Sequence, residues 1–82
     1  MIIKRPVSTE KSIRIIESEN KLVFIVDLKA TKTQIKEELE KLFDAKVLRV
    51  NTTITPGAEK RATVQFGPET PAIDIATKLG LM

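Results

Sequence analysis

The 82-residue sequence contains no cysteine and no histidine, and its aromatic side chains are three phenylalanines with no tyrosine or tryptophan. Without cysteine there are no disulfides, thiolate nucleophiles or sulfur-held zinc and iron–sulfur centres. Without histidine there is no imidazole acid–base catalysis and no imidazole-ligated metal or haem. An enzyme made from this chain would have to work with carboxylates, lysine, serine or threonine. The scarcity of aromatics also argues against an RNA-binding sheet of the kind that stacks bases on exposed rings. No apolar run approaches the roughly 18 residues of a membrane-spanning helix. The opening Met1-Ile2-Ile3-Lys4-Arg5-Pro6 lacks the apolar stretch and small-residue cleavage site of a secretory signal, so the expected compartment is intracellular. Glycine-rich phosphate loops, low-complexity segments, linkers and internal repeats are absent as well.

What remains is an ordinary globular composition, 41% hydrophobic and 30% charged. The length predicts one domain, spanning residues 1–82, with one core. A chain this short buries only about 60 to 65% of the surface its unfolded form exposes, so a functional site belongs on the outside rather than in a deep cavity. The net charge of +3 is unevenly spread. Residues 1–36 hold eight basic and four acidic side chains, residues 37–44 one and four, residues 45–61 four and one, and residues 62–82 one and two. A basic N-terminal part and a basic later segment are thus separated by an acidic stretch, which suits a polyanion on one side of the molecule. Two asparagines and two glutamines beside many Glu and Lys lean toward a thermophile.

Residues 2–7 are extended, because Pro6 disfavours helical backbone at Arg5 and Ile2-Ile3 are β-branched. Ser8 or Thr9 can cap a helix over about 9–18, with Glu10 complementing its dipole and Ile13 and Ile16 on its apolar side. Asn20 ends it. Leu22-Val23-Phe24-Ile25-Val26 is apolar at every position, which predicts a central strand, 21–28, covered on both faces. Thr31 and Gln34 have capping-box spacing, and Ile35, Leu39 and Leu42 recur at helical intervals, so a helix is placed at 32–43 with Glu37 four residues before Lys41. From Lys46 to Thr55 the pattern alternates, with Leu48, Val50, Thr52 and Ile54 on one face and Val47, Arg49, Asn51 and Thr53 on the other. Pro56-Gly57-Ala58-Glu59 is turn chemistry leading to a strand in which Arg61, Thr63 and Gln65 alternate with Ala62, Val64 and Phe66. Ala72, Ile75, Ala76 and Leu79 then mark a last helix ending at Gly80. The order β-α-β-α-β-β-α predicts an α/β (α+β) sandwich on a mostly antiparallel four-stranded sheet whose second face is partly open.

Three polar groups stand out. Arg49, Asn51, Thr53, Arg61, Thr63 and Gln65 share one hairpin face and offer donors for phosphate and ribose oxygens; the same pattern is also that of a plain solvated sheet face. Lys4, Arg5 and Lys11 bracket the first helix start, and Lys29, Lys32 and Lys36 surround the second with Thr31 and Thr33. Free N–H groups at those helix starts favour anions, and lysines there work against helix stability. Glu37, Glu38 and Glu40 read as a solvated helix face, and no metal cluster or nucleophile–base pair is present. From the residues alone, a small α/β ligand-binding or protein–protein interaction module on the sheet edge stays open beside an RNA-binding one. An acylphosphatase-like enzyme would need an Arg/Asn cradle in a loop, whereas Arg49 and Asn51 alternate on a strand.

Several segments, in this order and spacing, resemble a known family. Arg5-Pro6-Val7-Ser8-Thr9-Glu10-Lys11-Ser12 is followed by Asn20-Lys21-Leu22-Val23-Phe24-Ile25-Val26 and Ala30-Thr31-Lys32-Thr33-Gln34-Ile35-Lys36. Leu42-Phe43, Lys46-Val47, Val50-Asn51-Thr52 and Lys60-Arg61-Ala62 complete the series. Together they are similar to ribosomal protein L twenty-three of the large subunit over nearly the whole chain. The resemblance implies a non-enzymatic, cytoplasmic protein without cofactor, metal, membrane contact or small-molecule substrate. It implies binding to large-subunit rRNA at the rim of the polypeptide exit tunnel, next to ribosomal protein L twenty-nine and to docking factors such as the signal recognition particle. The rRNA-facing positions it implies are Arg5, Ser8, Thr9, Lys11, Lys29, Thr31, Lys32, Lys36, Asn51, Thr53, Lys60 and Arg61, to which charge and position add Lys4 and Arg49. Glu10 is implied for factor docking. Bacterial members carry a long basic hairpin loop that enters the tunnel; here the connection is only about Pro56 to Lys60, as in archaeal members, so no tunnel-lining role is expected.

Overall fold

The computed structural model describes residues 2–81. In chain order they form β1 (Ile3–Pro6), α1 (Glu10–Glu19), β2 (Lys21–Val26), α2 (Lys32–Phe43), β3 (Val47–Ile54), β4 (Lys60–Phe66) and α3 (Ala72–Lys78). The predicted order of elements is the observed one. The sheet runs β1-β2-β4-β3 with every neighbouring pair antiparallel, so the two most regular strands occupy the centre.

Local chemistry accounts for the helix boundaries. Thr9, not Ser8, caps α1: its hydroxyl accepts the Ser12 N–H at 3.1 Å while the Ser12 hydroxyl accepts the Thr9 N–H at 2.8 Å. At α2 the Gln34 N–H donates to Thr31 Oγ1 at 3.1 Å and the Thr31 N–H to Gln34 Oε1 at 3.0 Å, the reciprocal box its spacing predicts. At the end of α3, Gly80 adopts φ +78°, and the Leu81 and Gly80 N–H groups return to the Ala76 and Thr77 carbonyls at 2.9 and 3.1 Å. That pair of bonds is a Schellman cap, and the left-handed residue in it is the glycine the sequence supplies.

One face of the sheet carries the core. Leu22, Phe24 and Val26 of β2, Ala62, Val64 and Phe66 of β4, and Val47 and Val50 of β3 pack beneath Ile35 and Leu39 of α2 and Ala72, Ile75 and Ala76 of α3. The other face has a smaller apolar cluster, Val7, Val23 and Ile25, with Ile15 against it. Helix α1 serves both, because Ile13 and Ile16 join the main core and Ile15 the smaller cluster. The apolar run Leu22 to Val26 of β2 is thus covered on both faces, while the hairpin is covered on one.

Asn20 ties three elements together. Its backbone closes α1 in the left-handed region at φ 55°. Its amide nitrogen donates toward the carbonyls of Phe66, Gly67 and Thr70 at 3.0, 3.1 and 3.2 Å, and its amide oxygen accepts the Ala72 N–H at 2.6 Å. The exit of β4 and the start of α3 are thereby fixed to the end of α1.

The structure corrects the sequence reading at five points. A bulge between Val47 and Arg49 shifts the phase of β3, so Val47 is buried opposite Phe66, on the core side rather than with Arg49, and Leu48 is 55% exposed. Ile54, at the far end of the same strand, is also exposed. Leu42 lies at helical spacing from Leu39 but is half exposed, while its neighbour Phe43 in the same last turn of α2 packs against the core instead. Strand β2 ends at Val26 rather than 28, since Asp27 Oδ1 accepts the Lys29 N–H at 2.9 Å and its carbonyl the Ala30 N–H at 3.0 Å, turning the chain. Glu37 and Lys41 form no ion pair; those among the described residues are Arg5–Glu59, Arg14–Glu10 and Lys21–Glu19.

Candidate nucleic-acid interface

Strand register decides which side chains share the open face. Three rows cross it: Arg5, Ile25, Arg61 and Thr53; then Val7, Val23, Thr63 and Asn51; then Lys21, Gln65 and Arg49. Val7 enters its row through its N–H, which donates to the Val23 carbonyl at 2.8 Å. These rows contain four cations and no carboxylate; Arg5 and Lys21 are paired with Glu59 and Glu19 from outside the rows, and Arg49 and Arg61 form no ion pair among the described residues. Arg49, Asn51, Thr53 and Arg61 are exposed or nearly so at the hairpin, and Thr63 and Gln65 are half-buried between them. A donor-rich, positively charged sheet face of this kind matches the oxygens of a phosphate–ribose backbone.

The start of α1 closes one side of this face. An open hollow of about 210 Å³ lies there, with Val7, Ile15 and Val23 as its floor and Lys11, Arg61 and Thr63 at its rim. Thr9 and Ser12, the capping-box pair, also line it, whereas Ser8 is exposed outside. The first helix start and the hairpin face, two separate groups in the sequence, are therefore one continuous surface. Lys4 is exposed at the β1 bulge, and Arg5 donates to Glu59 Oε2 at 3.0 Å, a contact between β1 and the hairpin turn. Glu10 is highly exposed beside this surface and accepts from Arg14 at 2.8 Å.

The second helix start is a different group. Lys29, Thr31, Lys32 and Lys36 are exposed on the helix-bearing side. Lys60 belongs with them rather than with Arg61: it pairs with Val26 and Ile54 on the core side, and its ammonium donates to the Ala30 carbonyl at 2.6 Å. That bond places the start of α2 at the end of the sheet that carries the hairpin turn. Further along α2, an open groove of about 580 Å³ is bordered by Glu37, Glu38, Glu40 and Asp44, with Ile2, Gln34 and Lys41. The molecule thus offers cations on the open face and around the hairpin end, and carboxylates along the opposite helix.

Sequence reasoning missed Lys21, which the β2–β4 register sets beside Gln65 and Arg49, with its ammonium 3.2 Å from Glu19. It also missed Asn20 as an anchor. A left-handed residue after a helix was readable from the asparagine; its side-chain partners, 46 to 52 residues away, were not.

The family model for Ribosomal protein L23 matches residues 1–74. The chain belongs to this ribosomal protein family. It is also 52% identical over 81 residues to "Large ribosomal subunit protein uL23" of the archaeon Pyrobaculum aerophilum, with 99% of this chain and all of the relative covered. The matched region contains every row residue of the open face, both helix starts and the short hairpin. Family membership gives the protein a structural role in the ribosome.

Proposed function

We propose that this ribosomal protein is a structural constituent of the large subunit that binds rRNA through the open sheet face and the adjoining start of α1. The observation that carries this reading is the three-row face, where cations and hydroxyl and amide donors stand in register with no carboxylate among them. Arg49, Arg61 and Lys11 take phosphates; Asn51, Thr53 and Gln65 reach ribose and phosphate oxygens; Lys29, Lys32, Lys36 and Lys60 extend the contact around the hairpin end. Ser8, Thr9 and Thr31 contribute from the two helix starts. Arg5 and Lys4 flank the surface, with Arg5 partly occupied by Glu59. The acidic helix side is turned away from RNA, since its groove repels phosphate.

By family resemblance, the same reading places this single domain, in the cytoplasm, at the rim of the polypeptide exit tunnel. There it neighbours ribosomal protein L twenty-nine and presents Glu10 to docking factors such as the signal recognition particle. The hairpin turn of residues 55–59 is too short to line a tunnel, and the chain performs no catalysis.

A salt titration of binding to large-subunit rRNA fragments tests the core of the proposal. Each phosphate neutralised adds about 0.7 to 0.9 to the slope of log affinity against log salt. Five contacts therefore predict a slope near −4, and the double variant Arg49→Gln, Arg61→Gln is expected to reduce it by about one to two. A flat salt dependence, or an unchanged slope in that variant, would place RNA elsewhere or remove it altogether.

A further inference from the structure

We infer that the hollow between the start of α1 and the β2–β4 ladder takes one unstacked base of the bound RNA, with Lys11 and Arg61 holding the phosphates beside it. This rests on the rRNA reading and specifies what the open face takes. Val7, Ile15 and Val23 pack together as the smaller apolar cluster, and the edge of that cluster left open at the hollow puts aliphatic carbons within a surface otherwise built of Arg, Lys, Asn, Thr and Gln, where phosphate binding alone has no use for them. The flat faces of a nucleobase are apolar and its edges polar, which matches a floor of aliphatic carbons beneath a polar rim.

Size narrows the occupant. At about 210 Å³ the hollow is smaller than the roughly 300 to 1,000 Å³ of pockets that enclose a whole ligand, so it admits a ring system while sugar and phosphates stay outside. Lys11 on the helix and Arg61 on the strand are placed for those phosphates. A paired, stacked base cannot enter; the nucleotide must come from a bulge, a loop or a strand end.

The polar wall sets the selectivity. The Ser12 hydroxyl is taken up, accepting the Thr9 N–H at 2.8 Å and donating to the Val7 carbonyl at 3.0 Å, while Thr9 Oγ1 accepts the Ser12 N–H at 3.1 Å. Among the described residues the Thr63 hydroxyl makes no hydrogen bond and the Thr9 O–H donates to none, so both line the hollow ready to meet a base edge. Because a free hydroxyl can turn to donate or accept, the site discriminates weakly among bases and strongly between a base and none.

The test uses the full chain and the large-subunit rRNA fragment it binds, with each unpaired nucleotide in turn replaced by an abasic residue. One position is expected at which removing the base weakens binding about tenfold at unchanged salt slope. Thr63→Leu, which fills the hollow from its rim, is expected to lose the same tenfold and to become indifferent to the abasic change; Ile15→Phe, from the helix side, does the same through a different element. Normal, salt-dependent binding with no sensitive abasic position overturns this inference and leaves the rRNA reading standing. So does parent-like folding and binding by both Thr63→Leu and Ile15→Phe. Loss of all RNA binding by the unaltered chain overturns both.

Discussion

Removing the Asn20 side chain is expected to cost more stability than almost any other surface-proximal change in this protein. Three carbonyls converge on its amide nitrogen and one N–H on its amide oxygen, an asymmetry that also fixes which way the amide points. Two amide hydrogens serve three acceptors, so the loss corresponds to about three net hydrogen bonds. At about 0.5 to 1.5 kcal/mol each, Asn20→Gly is expected to lose about 2 to 4 kcal/mol, because glycine keeps the left-handed backbone and gives up only the side chain. Asn20→Ala adds the cost of a Cβ at φ 55°, partly offset by a less flexible unfolded chain, and is expected to lose about 0.5 to 1 kcal/mol more. A chain of this length has about 4 to 12 kcal/mol in total, so the midpoint of thermal unfolding should fall by roughly 10 to 30 °C. Asn20→Asp discriminates further: it keeps the acceptor for Ala72 and tolerates the left-handed region, but turns an oxygen toward three carbonyl oxygens. It should be at least as damaging as the glycine variant at neutral pH. Denaturant and thermal unfolding of the three variants decide the matter, and an aspartate or glycine variant as stable as the parent would refute the anchoring role.

Three further outcomes follow from the caps and the turn. Thr31→Ala removes the capping hydroxyl of α2 and should cost about 0.5 to 2 kcal/mol in a thermal melt while leaving the salt slope of RNA binding unchanged, since an uncharged hydroxyl neutralises no phosphate. Replacing Lys29 and Lys32 together by Gln removes two cations from the positive end of the same helix, so stability should hold or rise by a few tenths of a kcal/mol while the RNA salt slope falls by about one to two; lost stability with unchanged RNA binding would assign both lysines to the fold. Ala58→Gly should stabilise the protein by about 0.5 to 1 kcal/mol, because Ala58 sits at φ 58° in the hairpin turn, and an equal or lower melting temperature would contradict that.

The hairpin turn also explains where sequence reasoning reached its limit. Pro56-Gly57 announces a turn, and a turn is there: the Ala58 N–H donates to the Thr55 carbonyl at 3.0 Å and the Thr55 N–H to the Glu59 carbonyl at 2.8 Å. The residue that goes left-handed is Ala58, one position after the glycine, since cross-strand pairing of Ile54 with Lys60 rather than local propensity sets the loop. The bulge at Leu48 is of the same kind. Strict alternation in β3 read as one unbroken strand, and only the partner strand reveals the extra residue. By contrast, the apolar β2, the alternating β4 and the boxed start of α2 are specified by patterns a few residues long. They were legible because the side chains that decide them are neighbours in sequence. The open face inherits the same division: Arg49, Asn51, Thr53 and Arg61 were found from alternation, Lys21 and the union of Lys11 with Arg61 were not, because each needs the register between distant strands or between helix and sheet.

Where the irregularities fall matters for function. Both bulges lie on edge strands, at Ile3/Arg5 in β1 and Val47/Arg49 in β3, while the central β2–β4 ladder is regular over six consecutive pairs from Lys21–Gln65 to Val26–Lys60. On β4 the core and the proposed RNA surface are interleaved residue by residue: Ala62, Val64 and Phe66 point one way, Arg61, Thr63 and Gln65 the other. A slip of one position would bury a guanidinium and two polar side chains beneath α2 and α3 and expose three core residues, a loss far larger than any single contact. The buried half of β4 therefore locks the exposed half into register, and side chains on the open face are free to be selected for RNA without carrying the fold. This is why the predicted separation of effects, stability at Asn20 and Thr31 and RNA affinity at Arg49, Arg61 and Lys11, is a consequence of sheet geometry rather than an assumption about the residues.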